Sequence, residues 1–262
     1  MQFEVGDETV FAATGGKDVD PGKQTVVFIH GVGQDHTIWV LPTRYFARHD
    51  RNVLAVDLPG HGGSSGTPLR TIEEMADWTV AVLDAAGVDR AALVGHSMGS
   101  LVALDAAARH PNRVRAVAMI GISVPLRVTE PLMAGAEADS QDAIDMLTYW
   151  GHSDVAKIGG SPTPGIWMAG ASSRLWEQAA PGVLHADLQA CNEYEAGLER
   201  AGRLKCPALL LLGEKDRMTP VRGAEDVREA IPDQSTVVFP GAGHPLLLER
   251  SDAVLDELIR IV

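Results

Sequence analysis

Residues 91–99, Ala-Ala-Leu-Val-Gly-His-Ser-Met-Gly, constrain the fold more than any other stretch of the chain. Ala91 to Val94 is a continuous apolar run, as expected of a central parallel strand buried on both faces. Leu101, Leu104, Asp105 and Ala108 then recur at helical spacing, with alanines at 103 and 106 to 108 that let a helix pack close to a sheet. Between strand and helix, Gly95-His96-Ser97-Met98-Gly99 reads G-x-S-x-G, the pattern of a nucleophile elbow. A strand that turns abruptly into a helix strains the backbone at the serine, and glycines two residues to either side remove Cβ atoms that would clash. The Ser97 hydroxyl is then left exposed, and the Met98 N–H sits at a helix N-terminus where positive partial charge favours an anion. Gly62-Gly63-Ser64-Ser65-Gly66 fits the same pattern after the apolar Val53-Leu54-Ala55-Val56, but Thr67 and Pro68 follow it instead of a helix. That second match is read as a loop.

The rest of the chain supplies a matching rhythm. Residues 1 to 14 alternate loosely around the turn signal Gly6-Asp7, which suits an antiparallel hairpin at a sheet edge. Thr25 to Ile29 is a buried strand ending in His30-Gly31-Val32-Gly33, where glycines let the backbone approach a ligand and the Val32 N–H can point into a site. A helix holding Ile38, Trp39, Tyr45 and Phe46 precedes a strand ending at Asp57 and the loop Leu58-Pro59-Gly60-His61-Gly62. Asp57 precedes the candidate nucleophile and is read as a loop-orienting carboxylate, and His61 as structural. Thr71 and Glu74 form a capping box for a helix that Gly87 ends. A strand from Val114 to Ile120 completes an alternation that specifies a parallel sheet with helices on both faces.

From Val124 to Arg203 no strand-like run appears, and Pro125, Pro131, Pro162, Pro164 and Pro181 divide the segment into short helices and loops. This predicts a helical lid over residues 124–203, inserted into a core domain of residues 1–123 and 204–262. Most of its apolar residues bind the lid to the body, and Trp150, Trp167 and Met168 are the candidates for lining a pocket beneath it. The sheet resumes at Ala208 to Leu212, and Asp216 follows on the loop at the carboxyl end of that strand, where sites of open α/β sheets form. Thr219 and Pro220 read as an N-cap and first helical position. Ser235 to Phe239 is the last strand, and His244 lies in the loop that leads from it to the final helix.

At 262 residues and 45% hydrophobic, the chain is one large domain or a domain with an insertion. Its formal net charge of -13 argues against nucleic acid as a partner. The first ten residues show no secretory signal, and apolar runs such as Ala208 to Leu212 are too short to span a bilayer. A cytoplasmic protein without membrane association, monomeric or homodimeric, is expected. Cys191 and Cys206 offer neither a disulfide framework nor ligand spacing and are read as buried thiols.

Ser97, Asp216 and His244 occur in the order Ser, Asp, His, each after a strand of one parallel sheet. Together with His30 to Gly33, Asp57 to Gly62 and Gly241 to His244, this closely resembles the α/β-hydrolase family over nearly the whole chain, the lid excepted. The resemblance implies a serine nucleophile at Ser97, a general base at His244 oriented by Asp216, and an oxyanion hole from the Val32 and Met98 N–H groups, with no metal or organic cofactor. Serine at 97 sets the chain apart from relatives that form an alkyl ester on an aspartate. Pro245 after His244 departs from carbon-carbon hydrolases of ring-cleavage products, which typically carry Trp there. The implied activity is hydrolysis of a small-molecule carboxylic ester. Lactone or carbon-carbon hydrolysis comes second, and cofactor-free haloperoxidation or a non-catalytic ligand receptor after those.

Overall fold

In the computed structural model, which describes residues 1–161 and 165–262, strands β1 (Gln2–Val5) and β2 (Glu8–Ala13) open the chain as the expected antiparallel hairpin. After β3 (Thr25–Ile29), a 3-10 turn (His36–Trp39) runs into α1 (Val40–Arg48). β4 (Asn52–Val56), α2 (Ile72–Ala85), β5 (Ala91–His96), α3 (Met98–Arg109) and β6 (Val114–Ile120) continue the alternation. Then come, among the described residues, six helices: α4 (Glu130–Glu137), α5 (Gln141–Gly151), α6 (Asp154–Lys157), α7 (Met168–Glu177), α8 (Val183–Glu193) and α9 (Gly197–Gly202). β7 (Ala208–Gly213), a 3-10 turn (Val221–Ala224), α10 (Glu225–Ala230), β8 (Gln234–Phe239), α11 (Leu246–Glu249) and α12 (Ser251–Ile259) complete it. Pro162 and Pro164 lie outside the described residues, while Pro131 falls in the first turn of α4, where a missing N–H costs nothing. Among the described residues no helix is long and apolar enough to cross a membrane.

The eight strands form one sheet in the order β1-β2-β4-β3-β5-β6-β7-β8, antiparallel at β1, β2 and β4 and parallel from β4 to β8. Alternate residues of each inner strand point to opposite faces, and both faces are covered. Val27, Ile29, Leu54, Val56 and Leu93 pack with Met75, Leu83, Leu101 and Leu104 of α2 and α3. Val26, Phe28, Val53, Ala55, Ala92 and Val94 pack on the other side with Trp39, Phe46 and Val254, Leu255 and Leu258 of α12. The Phe28 and Trp39 rings stack there at 4.9 Å. A smaller cluster, Leu132, Ala136, Ala143, Leu147, Leu184 and Leu188, joins α4, α5 and α8.

Strand order brings the functional loops together. The connection out of β3 runs to β4 on one side and the connection out of its other neighbour, β5, runs to β6 on the opposite side, so a switch point of the kind at which open α/β sheets bind ligands falls between β3 and β5. Ile29 pairs with Gly95, His96 with Ile120, and Ile120 with Leu211, which aligns the carboxyl ends of β3, β5, β6 and β7.

Candidate active site

Ser97 has φ 55 and ψ -117, a conformation that costs a non-glycine residue about 1–3 kcal/mol. Its surroundings enforce it. The Ser97 N–H donates to Ile120 O (2.8 Å), the Ser100 N–H donates to Ser97 O (2.8 Å), and Ser100 Oγ reaches both Gly95 O and Ile120 O. A Cβ at Gly95 would overlap the carbonyl of Gly99, and one at Gly99 would overlap the carbonyls of Ile29 and His30. The two glycines of the motif are thus required by close approach of backbone to backbone. Ser97, 8% exposed, borders a cavity shared with Val32, His96, Thr219 and His244.

Asp216 follows β7 and is buried. Its Oδ1 accepts from the Met218 and Thr219 N–H groups (both 2.8 Å), and its Oδ2 accepts from Thr219 Oγ1 (2.7 Å) and lies 2.7 Å from His244 Nδ1. Burial pushes the Asp216 pKa up, but the charge of His244 and these hydrogen bonds outweigh it and hold the carboxyl below its usual range. Thr219 therefore does not cap a helix as its sequence context suggested. Pro220 is the N-cap of the following 3-10 turn, and the Thr219 hydroxyl is drawn to the carboxylate, 3.1 Å from His244 Nδ1. The His244 N–H donates to Gly151 O at the end of α5 (2.7 Å). Beside it the buried Glu249 carboxylate accepts from the Gly243 N–H (3.0 Å) and the Ser153 N–H (2.9 Å).

The loop after β3 is held by hydrogen bonds along its length. The Gly31 N–H donates to Gln34 Oε1 (3.1 Å), and Gly31 O accepts from His30 Nδ1 (2.9 Å). Val32 O accepts from Trp176 Nε1 (2.9 Å), and the Gly33 N–H donates to Asp187 Oδ2 (2.8 Å). Among the described residues no hydrogen bond occupies the Val32 N–H, and the Met98 N–H begins α3, where an amide has no intrahelical partner. Asp187 and Glu249 carry no sequence signal as site residues.

His61 faces acceptors at both ring nitrogens, Pro59 O at 3.0 Å and Asp187 Oδ2 at 2.9 Å, an arrangement that favours the protonated ring. Burial pushes its pKa down, and the Asp187 charge and hydrogen bond outweigh that and raise it. His30, with ring centroid 4.8 Å from that of His61, is neutral: Nδ1 donates to Gly31 O and Nε2 accepts from the Leu58 N–H. Burial, then the neighbouring His61 charge, lower its pKa to about 4. Between the ordinary value of 6.5 and about 4 the unfolded chain binds the proton and the folded chain does not, so stability is full above 6.5 and falls as pH drops through that window. His30 alone accounts for a loss of about 3 kcal/mol by pH 4 on this shift. Denaturant unfolding at stepped pH is expected to show it, with a flatter slope in His30→Gln; equal slopes in both proteins would refute the assignment.

The cavity at Ser97 is also lined by Leu126, Leu147, Trp176, Leu188 and Met218. None of the three residues of the 124–203 segment singled out from sequence lines it. Met168 is 1% exposed at the start of α7, Trp167 is 64% exposed beside it, and Trp150 packs with the α4–α5–α8 cluster; Trp176 takes the position instead. Gln34 and His96 also border a larger neighbouring cavity of about 370 Å³ walled by Ile38, Leu175, Leu247 and Leu248. Asp35, His36 and Asp57 bring potential ligand atoms within 4.8 Å of one another. The Asp57 carboxylate there already accepts from the His36 and Gly63 N–H groups and pairs with His36 Nδ1, which orients the loop as expected.

Comparison with known proteins shows the family and the fold. The sequence pattern of the alpha/beta hydrolase family matches residues 26–257. A pimeloyl-[acyl-carrier protein] methyl ester esterase of Chromobacterium violaceum is 29% identical over 242 residues, 87% of this chain and 91% of the esterase. A solved thermophilic esterase superposes with TM-score 0.82 at 27% identity, covering 99% of this chain and 95% of that one. The enol-lactonase of Burkholderia xenovorans, at 20% identity, shares the fold with TM-score 0.85 over 98% of both chains.

Proposed function

The chain belongs to the alpha/beta hydrolase family, and from that premise we propose that it is a serine hydrolase of small to medium, mainly apolar carboxylic esters. The observation that carries this reading is the 2.7 Å contact of His244 Nδ1 with a buried, multiply hydrogen-bonded Asp216, on a loop that borders the same cavity as the strained Ser97.

In this reading Ser97 Oγ attacks the ester carbonyl and its proton passes to His244 Nε2. Asp216 holds the other ring nitrogen protonated and balances the imidazolium charge. The carbonyl oxygen becomes an oxyanion facing the Val32 and Met98 N–H groups. Collapse of the tetrahedral intermediate breaks the bond to the alcohol, which leaves with the proton from His244. Water, deprotonated by the same nitrogen, attacks the acyl-enzyme, and the acid departs as Ser97 regains its proton. The proposed lid of residues 124–203 covers this chemistry.

Substrate charge follows from the same residues. Leu126, Leu147, Trp176, Leu188 and Met218 present apolar surface to the site. Residues 124–203 hold five basic and eleven acidic side chains, a formal charge of -6. Such surroundings repel anionic substrates and favour neutral apolar ones. The test is kcat/KM for a neutral p-nitrophenyl ester and its ω-carboxylate at low and high salt. The neutral ester is expected to be the better substrate, with the gap narrowing as salt screens the field. Preference for the carboxylate at low salt would put carbon-carbon hydrolysis first.

A further inference from the structure

Asp187 is a buried carboxylate that the chemistry above does not use, and it lies on α8, far in sequence from the two groups that hydrogen-bond to it. One oxygen, Oδ2, accepts both the Gly33 N–H (2.8 Å) and the His61 Nε2–H (2.9 Å), while Oδ1 is buried without a partner among the described residues. An orphaned buried oxygen costs about 1–3 kcal/mol, and a buried ion pair is weak ground for stability. What the residue holds therefore matters more than what it adds to the fold.

It holds one end of a single peptide group. The Val32–Gly33 peptide has its carbonyl bonded to Trp176 Nε1 (2.9 Å) and its N–H bonded to Asp187 Oδ2, so side chains of α7 and α8 grip both ends of one rigid plane. The preceding Gly31–Val32 peptide carries the Val32 N–H, and its carbonyl is taken by His30 Nδ1 (2.9 Å). Because a trans peptide points its C=O and N–H in opposite directions, fixing Gly31 O aims the Val32 N–H, and clamping the next plane prevents rotation between them. A Cβ at Gly33 would lie 3.1 Å from the side chains of both Trp176 and Leu184, so the loop packs closely under α7 and α8 at this glycine.

We propose that Asp187 and Trp176 are positioning residues that clamp the Val32–Gly33 peptide and so fix the Val32 N–H for the oxyanion, making that donor dependent on seating of α7 and α8. This rests on the ester-hydrolase reading. Loosening the clamp acts on the transition state, where charge develops on the carbonyl oxygen, and ground-state binding is kept as long as the ring of Trp176 that walls the cavity is kept.

The experiment measures kcat and KM for p-nitrophenyl butyrate, and inhibition by a trifluoromethyl ketone, which adds to the serine to leave a tetrahedral oxyanion. The variants are Trp176→Phe, which keeps a ring and loses the N–H, together with Asp187→Asn and Asp187→Ala. Expected for Trp176→Phe is a kcat reduced about tenfold, less than the ~10²–10³-fold of a donor lost outright, with KM within about twofold and ketone affinity reduced by the same factor as kcat. Asp187→Asn keeps an acceptor for the Gly33 N–H and is expected to retain more activity than Asp187→Ala. Should Asp187→Ala fail to fold, the half-buried Trp176→Phe still decides. Unchanged kcat and ketone affinity in Trp176→Phe, or a rise in KM alone, would overturn the clamp. Absence of ester turnover in the unaltered protein would instead refute the function on which it rests.

Discussion

Ser97→Ala is expected to abolish ester hydrolysis and covalent labelling by a fluorophosphonate, whereas Ser64→Ala and Ser65→Ala abolish neither. All three serines lie in G-x-S-x-G or overlapping Gly-Ser patterns, but the structure uses them differently. Ser64 Oγ accepts from the Phe11 N–H and donates to Asp57 O, and Ser65 Oγ accepts from the Thr9 N–H, so both hydroxyls tie the loop to β2. Ser97 alone of the three starts a helix, borders the cavity with His244 and sits at positive φ. Loss of a serine nucleophile costs at least about 10⁴-fold in rate. The readouts are turnover of p-nitrophenyl butyrate and the labelled band on a gel. Labelling that persists in Ser97→Ala would remove the serine from its role.

The second large effect is expected from Asp216→Asn, with a rate loss on the order of 10⁴-fold in a protein that remains folded. The asparagine oxygen can take the place of Oδ1 and keep the Met218 and Thr219 N–H groups satisfied. Its NH2 then faces His244 Nδ1, which can only accept from it, and the ring is left with its proton on Nε2, the nitrogen that must receive the serine proton. His244→Ala is expected to match Ser97→Ala, because base and nucleophile act as a unit. Kinetics with circular dichroism as the folding control check this. Near-wild-type turnover in Asp216→Asn would transfer the acid's role to another carboxylate, Asp57 being the first to examine.

Much of this site was legible because its parts are local. The strand-serine-helix junction, the Gly-rich turn after β3 and the loops holding Asp216 and His244 each occupy a handful of consecutive residues whose side-chain chemistry dictates a backbone shape. The pocket-lining residues of the 124–203 segment were not legible in this way. Trp150, Trp167 and Trp176 all lie on or beside short helices in a segment without strands, and periodicity alone does not tell which helix face meets the core; Trp167 turned outward and Trp176 inward. Asp187 reads as one of eleven acids in an acidic segment, and its bond to Gly33 spans 154 residues. Thr219 was misread because the Thr-Pro pair satisfies a helix-start rule equally well, while the actual competitor for its hydroxyl, Asp216, wins by charge.

The bond from the His244 N–H to Gly151 O, and the Glu249 carboxylate that spans Gly243 and Ser153, have a consequence for engineering. Replacing the helices of residues 124–203 is an attractive route to new substrate ranges, since the sheet itself is left in place. Here the donor segment would have to present a backbone acceptor where α5 ends and an amide for Glu249 just beyond it, or the loop that carries the imidazole loses its anchors. A chimera joined at residues 124 and 203 without matching those two points would inherit a new pocket and an unmoored His244 loop. Chimeras selected to keep both contacts are the ones in which a change of specificity can be separated from a loss of catalysis.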